Sequence, residues 1–186
     1  MIHPFLDRAG IHVKNKVSNF LFSYSMVKDV YPEIIKNWYN LPLEMYPIRS
    51  HLVASLEKKS FYSSVDFLII VQAVEGFWWR FREKSYRMKN SVPLGRKTSL
   101  KTILKELLTE FSDIGLLRQI EIDIEAVVDS RHYYSHFLPH SSKPKKLEGF
   151  ALVDQAKKLQ MLLVCCVLSF IGFDNSLINA VLRKVI

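Results

Sequence analysis

The sequence predicts an all-α protein, and three features of its pattern support that fold class. Apolar residues recur at intervals of three and four over several long stretches, which is the spacing of one helix face. No stretch alternates between apolar and polar residues with the period of two that marks a half-buried strand. No internal repeat is apparent, so we expect the helices to pack as a helical bundle.

The length and composition describe a basic, core-forming chain. Its 186 residues are enough for one domain, or for one domain with an appendage, and 49% hydrophobic content excludes disorder. The formal net charge of +8 calls for an anionic partner, and nucleic acid is the first candidate. Charge alone does not distinguish RNA from DNA or from an anionic lipid surface.

The chain divides into a leading segment and a main helical domain. We expect residues 1–57 to form an N-terminal helical arm, or the tail of an upstream domain, and residues 58–186 to form the main domain. In the arm, a helical pattern runs from about Asn19 to Tyr39, and Pro32 is expected to break or restart it.

The main helix is predicted from Phe61 to Arg87. It is apolar on two sides, which indicates a central position, and Glu75 is the exception within it. A buried carboxylate needs a cation or a hydrogen-bond donor, and Arg131 or His136 is of the right kind. Alternatively, Glu75 lies at the edge of the buried stripe and meets solvent or Arg80.

A second helix is predicted to begin after Thr98 or Ser99, either of which can cap it. Its buried face contains Leu100, Ile103, Leu104, Leu107, Leu108 and Phe111. The last long helix is predicted over about 149–171, with Gly172 at its C-terminal cap, and Asp174 or Asn175 is expected to open a short final helix.

Two apolar stretches resemble membrane spans but are better interpreted as buried helices. Phe61–Trp79 contains charged residues, and Leu159–Phe173 is shorter than the roughly 20 residues that a span needs. The adjacent Cys165 and Cys166 fit small core residues in a reducing cytoplasm, and no signal peptide is visible. We therefore expect a cytoplasmic protein without a membrane partner.

The stretch Asp129-Ser-Arg-His-Tyr-Tyr-Ser-His-Phe-Leu-Pro139 carries the candidate chemistry. Upstream of it, Ile120, Ile124, Val127 and Val128 form one helical stripe, and Arg131 falls on that face. His132 and His136 lie one turn apart on an adjacent side. Pro139 disfavours the helical conformation for the residue before it, so the helix should end close to His136.

An Arg and a His together suffice for metal-free cleavage of RNA. The end of a helix favours a protonated imidazole at His136, and the guanidinium of Arg131 matches phosphate oxygens. On a straight helix the two side chains diverge by about 140°. Either the last turn unwinds, or two copies of the motif meet across a twofold interface and form one composite site.

These residues resemble the HEPN superfamily of small helical domains, whose signature is an Arg and a His separated by four residues, here Arg131 and His136. Four ordered segments resemble the Apea-like HEPN domain more narrowly, over roughly residues 58–184. They are the helix with Val-Gln-Ala-Val-Glu75, the helix from Leu100 to Phe111, the segment Val127–His136, and the helix that ends Leu168-Ser-Phe-Ile-Gly-Phe173.

The resemblance implies a metal-independent endoribonuclease, active as a homodimer in toxin or phage-defence systems, with RNA as substrate and no cofactor or metal. Arg131 and His136 are then the catalytic pair, and His132, Glu75 and Tyr134 support them. An antitoxin chain is a further expected partner. Two basic loops flank the site, and each is either an ordinary solvated loop, the more common case, or a guide for a nucleic-acid backbone. On the second interpretation their RNA-binding residues are Arg96, Lys97, Lys143, Lys145 and Lys146.

Three alternatives stay open at this point. His132, His136 and His140 recur at intervals of four, which suits a metal site with Asp129, although Pro139 interrupts the helix between them. The Arg–His motif also fits a structural role, with Arg131 paired to Glu75. Finally, the domain fits a catalytically inactive module that binds RNA or dimerises.

Overall fold

The computed structural model describes residues 23–57, 63–91, 97–139, 143 and 145–183. Within these ranges the chain forms ten α-helices and a 3-10 turn at Leu43–Met45, without a β-strand, so the all-α prediction is confirmed. The helices are α1 (Tyr24–Val27), α2 (Tyr31–Tyr39), α3 (Tyr46–Glu57), α4 (Ser64–Phe81), α5 (Glu83–Asn90), α6 (Leu100–Glu110), α7 (Gly115–Gln119), α8 (Ile124–His136), α9 (Gly149–Phe170) and α10 (Asn175–Leu182).

The two long helices α4 and α9 form the centre of the bundle. They pack on each other, and α4 also contacts α3 and α8. Every residue of α9 from Leu162 to Leu168 is buried, and Phe67 and Phe77 of α4 are fully enclosed. Burial on several sides explains why both helices are rich in apolar residues, and it confirms the predicted central position of α4.

The predicted continuous helix from Phe61 to Arg87 is wrong at its C-terminal part. A capping box of Ser63 and Asp66 starts α4, and the helix ends at Phe81. Arg82 breaks the line and α5 follows, with no buried residue in it. Because α5 has no apolar stripe to bury, the core does not hold it in line with α4. Phe61 lies outside the described residues.

The N-terminal segment packs on the main domain and shares its core. Pro32 lies in the first turn of α2, so the helical pattern restarts there, as expected. Ile48 and Leu52 of α3 are buried in the same core as α4 and α9. The Asn37 side chain donates to the backbone carbonyl of Ile171, 3.1 Å away, and ties α2 to the end of α9.

The predicted helix caps are confirmed where the chain is described. Ser99 accepts a hydrogen bond from the amide of Thr102 and starts α6, and Asp174 caps α10 in the same way. Gly172 has a φ of +107°, the conformation that favours glycine after a helix end.

The apolar helices are core elements. In the described part of the chain, no helix combines the length and the apolar character needed to cross a membrane. Cys165 and Cys166 are buried in α9, and burial raises the pKa of the Cys165 thiol to about 12. A thiol held protonated in this way is an inert core residue.

Candidate functional site

Helix α8 carries the Arg–His motif, and its start is fixed by Asp123. The Asp123 carboxylate accepts a hydrogen bond from the amide of Ala126 at 2.9 Å, which makes it the N-cap. The prediction that Ile120 belongs to this helix is therefore wrong, because Ile120 ends α7 instead. The buried face of α8 consists of Ala126, Val127 and Ser130.

Helix α8 ends where Pro139 predicts. It stays helical through His136, and Phe137 then adopts a left-handed conformation with φ 49° while its amide donates to the carbonyl of Tyr133. The last turn therefore does not unwind. Arg131 and His136 still point about 140° apart around the helix axis, as the spacing of five residues requires.

Arg131 contacts Glu75 of α4, as one of the two sequence hypotheses expected. The Arg131 Nη2 atom lies 3.3 Å from Glu75 Oε2, and the side chains are 34% and 18% exposed. The alternative partner, Arg80, donates instead to the backbone carbonyl of Glu44. Glu75 therefore faces the motif from the neighbouring helix and holds the guanidinium by one charged hydrogen bond.

A cleft of about 330 Å³ opens beside this ion pair. Helices α4 and α8, the start of α6 and the loop after the motif all contribute to it. Its lining residues are Glu75, Trp79, Lys97, Thr98, Ser99, Leu100, Val128, Arg131, His132 and Lys143. Three of these side chains are cationic at neutral pH and one is a carboxylate, so the cleft favours an anionic ligand.

His132 and His136 form a pair on the surface of α8. Their ring centroids are 4.7 Å apart with an angle of 59° between the planes. Desolvation, followed by the charges of Lys143, His136 and Arg131, lowers the pKa of His132, while Asp129 opposes the shift. The lowered pKa favours the neutral imidazole, which is the form that can accept a proton. Its imidazole lines the cleft, whereas His136 is not among the lining residues.

A sequence model of one protein family, described as Apea-like HEPN, matches residues 68–177 of the chain. The match spans more than half of the sequence and contains Glu75 and the entire turn from Arg131 to His136. The chain belongs to the Apea-like HEPN family. Neither the curated proteins nor the solved structures that were searched gave a significant match.

In this HEPN domain Tyr134, a predicted supporting residue, faces the fold. Its hydroxyl donates to the carbonyl of Leu147 at 2.7 Å, and its ring meets the edge of Phe67. The buried Ser130 hydroxyl accepts from the amide of Leu147 at 2.6 Å. The amide and the carbonyl of Leu147, in the loop after the motif, are therefore both hydrogen-bonded to side chains of α8. Burial raises the pKa of Tyr134.

Only some of the predicted RNA-binding lysines lie in the cleft. Lys97 and Lys143 line the cleft, and Lys143 lies 3.5 Å from Asp129. Lys145 is exposed to solvent. The side chain of Lys146 is only 7% exposed.

Lys146 is used by the fold itself. Its ammonium group lies over the ring of Tyr133, 5.4 Å from the centroid, and 3.0 Å from the carboxylate of Glu148. That placement leaves little of its surface for a nucleic acid. Arg96 and His140 lie outside the described residues.

Trp79 is a cleft residue that the sequence analysis did not select for the site. The ammonium group of Lys97 lies over its ring, 5.1 Å from the centroid. Its buried indole N–H has no hydrogen-bond acceptor among the described residues. The available signal was its position one turn after Glu75, because residues four apart share a helix face.

Proposed function

We propose that this HEPN domain is a metal-independent endoribonuclease that cleaves single-stranded RNA. The observation that carries the proposal is the cleft in which Arg131, held by Glu75, lies beside His132 and two lysines. These groups supply what an RNA phosphodiester needs: a charged fork for the phosphate oxygens and imidazoles that exchange protons.

In the proposed reaction the 2′-oxygen of the ribose forms a bond to phosphorus, and the bond from phosphorus to the 5′-oxygen breaks. A neutral imidazole, for which His132 is suited, takes the proton of the 2′-hydroxyl. A protonated imidazole at His136 donates a proton to the 5′-oxygen, and Arg131 stabilises the negative charge of the five-coordinate phosphate. The products are a 2′,3′-cyclic phosphate and a 5′-hydroxyl.

The proposed active form is a symmetric homodimer. Because α8 stays helical through His136, one copy presents Arg131 and His136 to different sides. A twofold partner brings a second motif against the first, so that Arg131 of one copy and His136 of the partner subunit meet at one phosphate. The predicted site is therefore incomplete in a single chain.

The proposal is tested by incubating the protein with single-stranded RNA in excess chelator and analysing the ends of the fragments. We expect cleavage to continue, to leave cyclic phosphate ends, and to spare DNA, which lacks the attacking hydroxyl. His136→Ala should reduce the rate by about 10²- to 10⁴-fold, the usual contribution of a positioned acid or base. Cleavage of DNA, or loss of cleavage in chelator, would contradict the mechanism.

Mixing two inactive variants tests the composite site. Arg131→Ala and His136→Ala homodimers should both be inactive. After reassortment we expect about a quarter of the wild-type activity, because half of the dimers are mixed and each mixed dimer has one intact site of two. Full specific activity of a wild-type monomer at high dilution would refute the composite site.

The second candidate function is an inactive HEPN module that binds RNA or dimerises. The observation that favours it is the Arg131–Glu75 contact, since a guanidinium already paired with a carboxylate has less charge to offer a phosphate. If this alternative is correct, Arg131→Ala weakens RNA binding, and neither the wild-type protein nor the variant produces RNA fragments.

We also propose a cellular role as a toxin or phage-defence effector that a partner chain restrains. The support is the resemblance of the Arg131–His136 motif to the HEPN signature, which implies such a role, in a chain that belongs to the Apea-like HEPN family. Induced expression of the wild-type chain should arrest growth, whereas the His136→Ala chain should not. Equal growth of both strains at equal protein levels would contradict this role.

A further inference from the structure

The cleft beside Arg131 has the size and the walls of a nucleotide site. Its volume of about 330 Å³ lies at the small end of the range for ligand pockets, which begins near 300 Å³. Trp79 and Leu100 give it apolar walls from two helices, and Val128 of α8 adds a third. A cleft of this size, with three apolar side chains beside its cations, suits a base joined to a phosphate better than it suits an inorganic anion alone.

The positive charge of the cleft is concentrated in two lysines that the proposed chemistry does not use. Lys97 lies over the Trp79 ring and has no carboxylate partner in the part of the chain that the structure describes. Lys143 lies 3.5 Å from Asp129, and both side chains are partly exposed, so a phosphate can compete with the carboxylate for the ammonium group. Both ammonium groups line the cleft and can bind a phosphate there.

Trp79 itself is kept at an energetic cost. Its indole N–H is buried without an acceptor among the described residues, which destabilises the fold relative to a phenylalanine of similar shape. Trp78 has the same unsatisfied N–H but belongs to the core and does not line the cleft. The two neighbours therefore form a natural pair of test and control positions.

We propose that this cleft is a subsite that binds one nucleotide of the RNA strand, adjacent to the bond that is cut. The base lies against Trp79, Leu100 and Val128, and its phosphate lies between Lys97 and Lys143. The inference rests on the proposed ribonuclease activity. If that activity is correct, Arg131 and His132, which line the same cleft, contact the phosphate next to the bound nucleotide. It makes Trp79 and Lys97 determinants of substrate binding.

The test is binding of small ligands, which requires no cleavage and is performed on the His136→Ala protein. Nucleoside 5′-monophosphates, the matching nucleosides and orthophosphate are titrated while the tryptophan indole N–H signals are followed by NMR. Trp79→Phe identifies the signal of Trp79 by its loss. We expect the monophosphate to shift that signal and to bind about tenfold more tightly than the nucleoside or orthophosphate alone, since base and phosphate both contribute.

Variants separate the two halves of the subsite. Lys97→Ala should weaken the monophosphate about tenfold and leave the nucleoside unchanged, whereas Trp79→Leu should weaken both by a similar factor. Lys157→Ala, at an exposed lysine of α9 outside the cleft, and Trp78→Phe serve as matched controls and should bind like the parent. Thermal unfolding of each variant establishes that it is folded, and Trp79→Met, which also lacks an aromatic face, replaces Trp79→Leu if the latter is not.

Three results would overturn the subsite. They are equal affinity for orthophosphate and monophosphate, equal effects of the cleft variants and their controls, and no binding at millimolar ligand. The outcome is independent of catalysis. If the protein binds monophosphates through Trp79 but never cuts RNA, the subsite is supported and the proposed activity is refuted. If it cuts RNA but does not bind monophosphates in this way, the activity is supported and the subsite is refuted.

Discussion

Replacing Glu75 by glutamine removes the charge that faces Arg131 and keeps the shape of the side chain. The pair is made through a single contact of 3.3 Å between side chains that are 34% and 18% exposed. Exposed ion pairs contribute about 0–1 kcal/mol, and breaking a fully buried one costs about 3–5 kcal/mol. For this half-buried pair we expect Glu75→Gln to cost about 1–2 kcal/mol of unfolding free energy.

The expected loss is measurable by thermal unfolding. In a chain of this size each kcal/mol lowers Tm by about 2–4 °C, so Glu75→Gln should lower it by roughly 5 °C. RNA cleavage should fall by more than stability explains, because a guanidinium displaced by about 1 Å from its working position can cost about 10²-fold in rate. The assay is fragment formation at a temperature well below both melting transitions.

Glu110→Gln is the matched control. The Glu110 carboxylate accepts three hydrogen bonds from Arg82 at 3.0 to 3.2 Å, away from the cleft residues, and the Arg82 and Glu110 side chains are 24% and 33% exposed. This variant should lose at least as much stability as Glu75→Gln and no activity. A double-mutant cycle of Glu75→Gln with Arg131→Gln should give a coupling of about 1 kcal/mol. If the coupling is zero and cleavage is unchanged, Glu75 neither stabilises nor orients Arg131.

Two further predictions concern α8. The pKa of His132 is lowered, first by desolvation and then by Lys143, so Lys143→Gln should raise it in an NMR titration, and an unchanged value would contradict the assignment. Because the unfolded chain binds this proton more tightly, His132 makes the fold less stable as the pH falls below about 6.5, and His132→Gln should reduce that loss. Ser130→Ala leaves the amide of Leu147 without its buried acceptor and should cost about 1–3 kcal/mol in chemical denaturation. Ser135→Ala, at a more exposed serine of the same helix, should be nearly neutral, and equal effects of the two would refute this explanation.

Features that depend on local chemistry were predicted correctly from the sequence. Pro139 indicated the end of α8 at His136, Ser99 indicated the start of α6, and Gly172 indicated the end of α9. Each of these follows from the backbone preference or hydrogen bonding of one or two residues. For Glu75 the sequence predicts either a partner in the motif, Arg131 or His136, or an edge position that meets solvent or Arg80, and in the structure Glu75 pairs with Arg131.

Features that depend on tertiary packing were not accessible in this way. The helix breaks at Arg82 because α5 has no buried residues. The periodicity of the whole stretch from Phe61 to Arg87 did not indicate this break. Ile120 fits the helical stripe of α8 by spacing but precedes its N-cap. The cleft that joins Trp79 to Lys97 exists only because α4, the start of α6 and α8 meet, and no local pattern encodes that meeting.

Because Leu147 is hydrogen-bonded to α8, the length of the loop between α8 and Leu147 has little effect on the stability of the motif. Pro139 comes shortly after the end of α8, and Ser130 and Tyr134 hold Leu147 on the same helix. Doubling the length of a loop anchored at both ends costs only about 0.6 kcal/mol, less than one buried hydrogen bond. Residues inserted between Pro139 and Lys143 should therefore change which RNA is bound while Lys143 and Lys146 keep their contacts and the turn that carries Arg131 keeps its geometry.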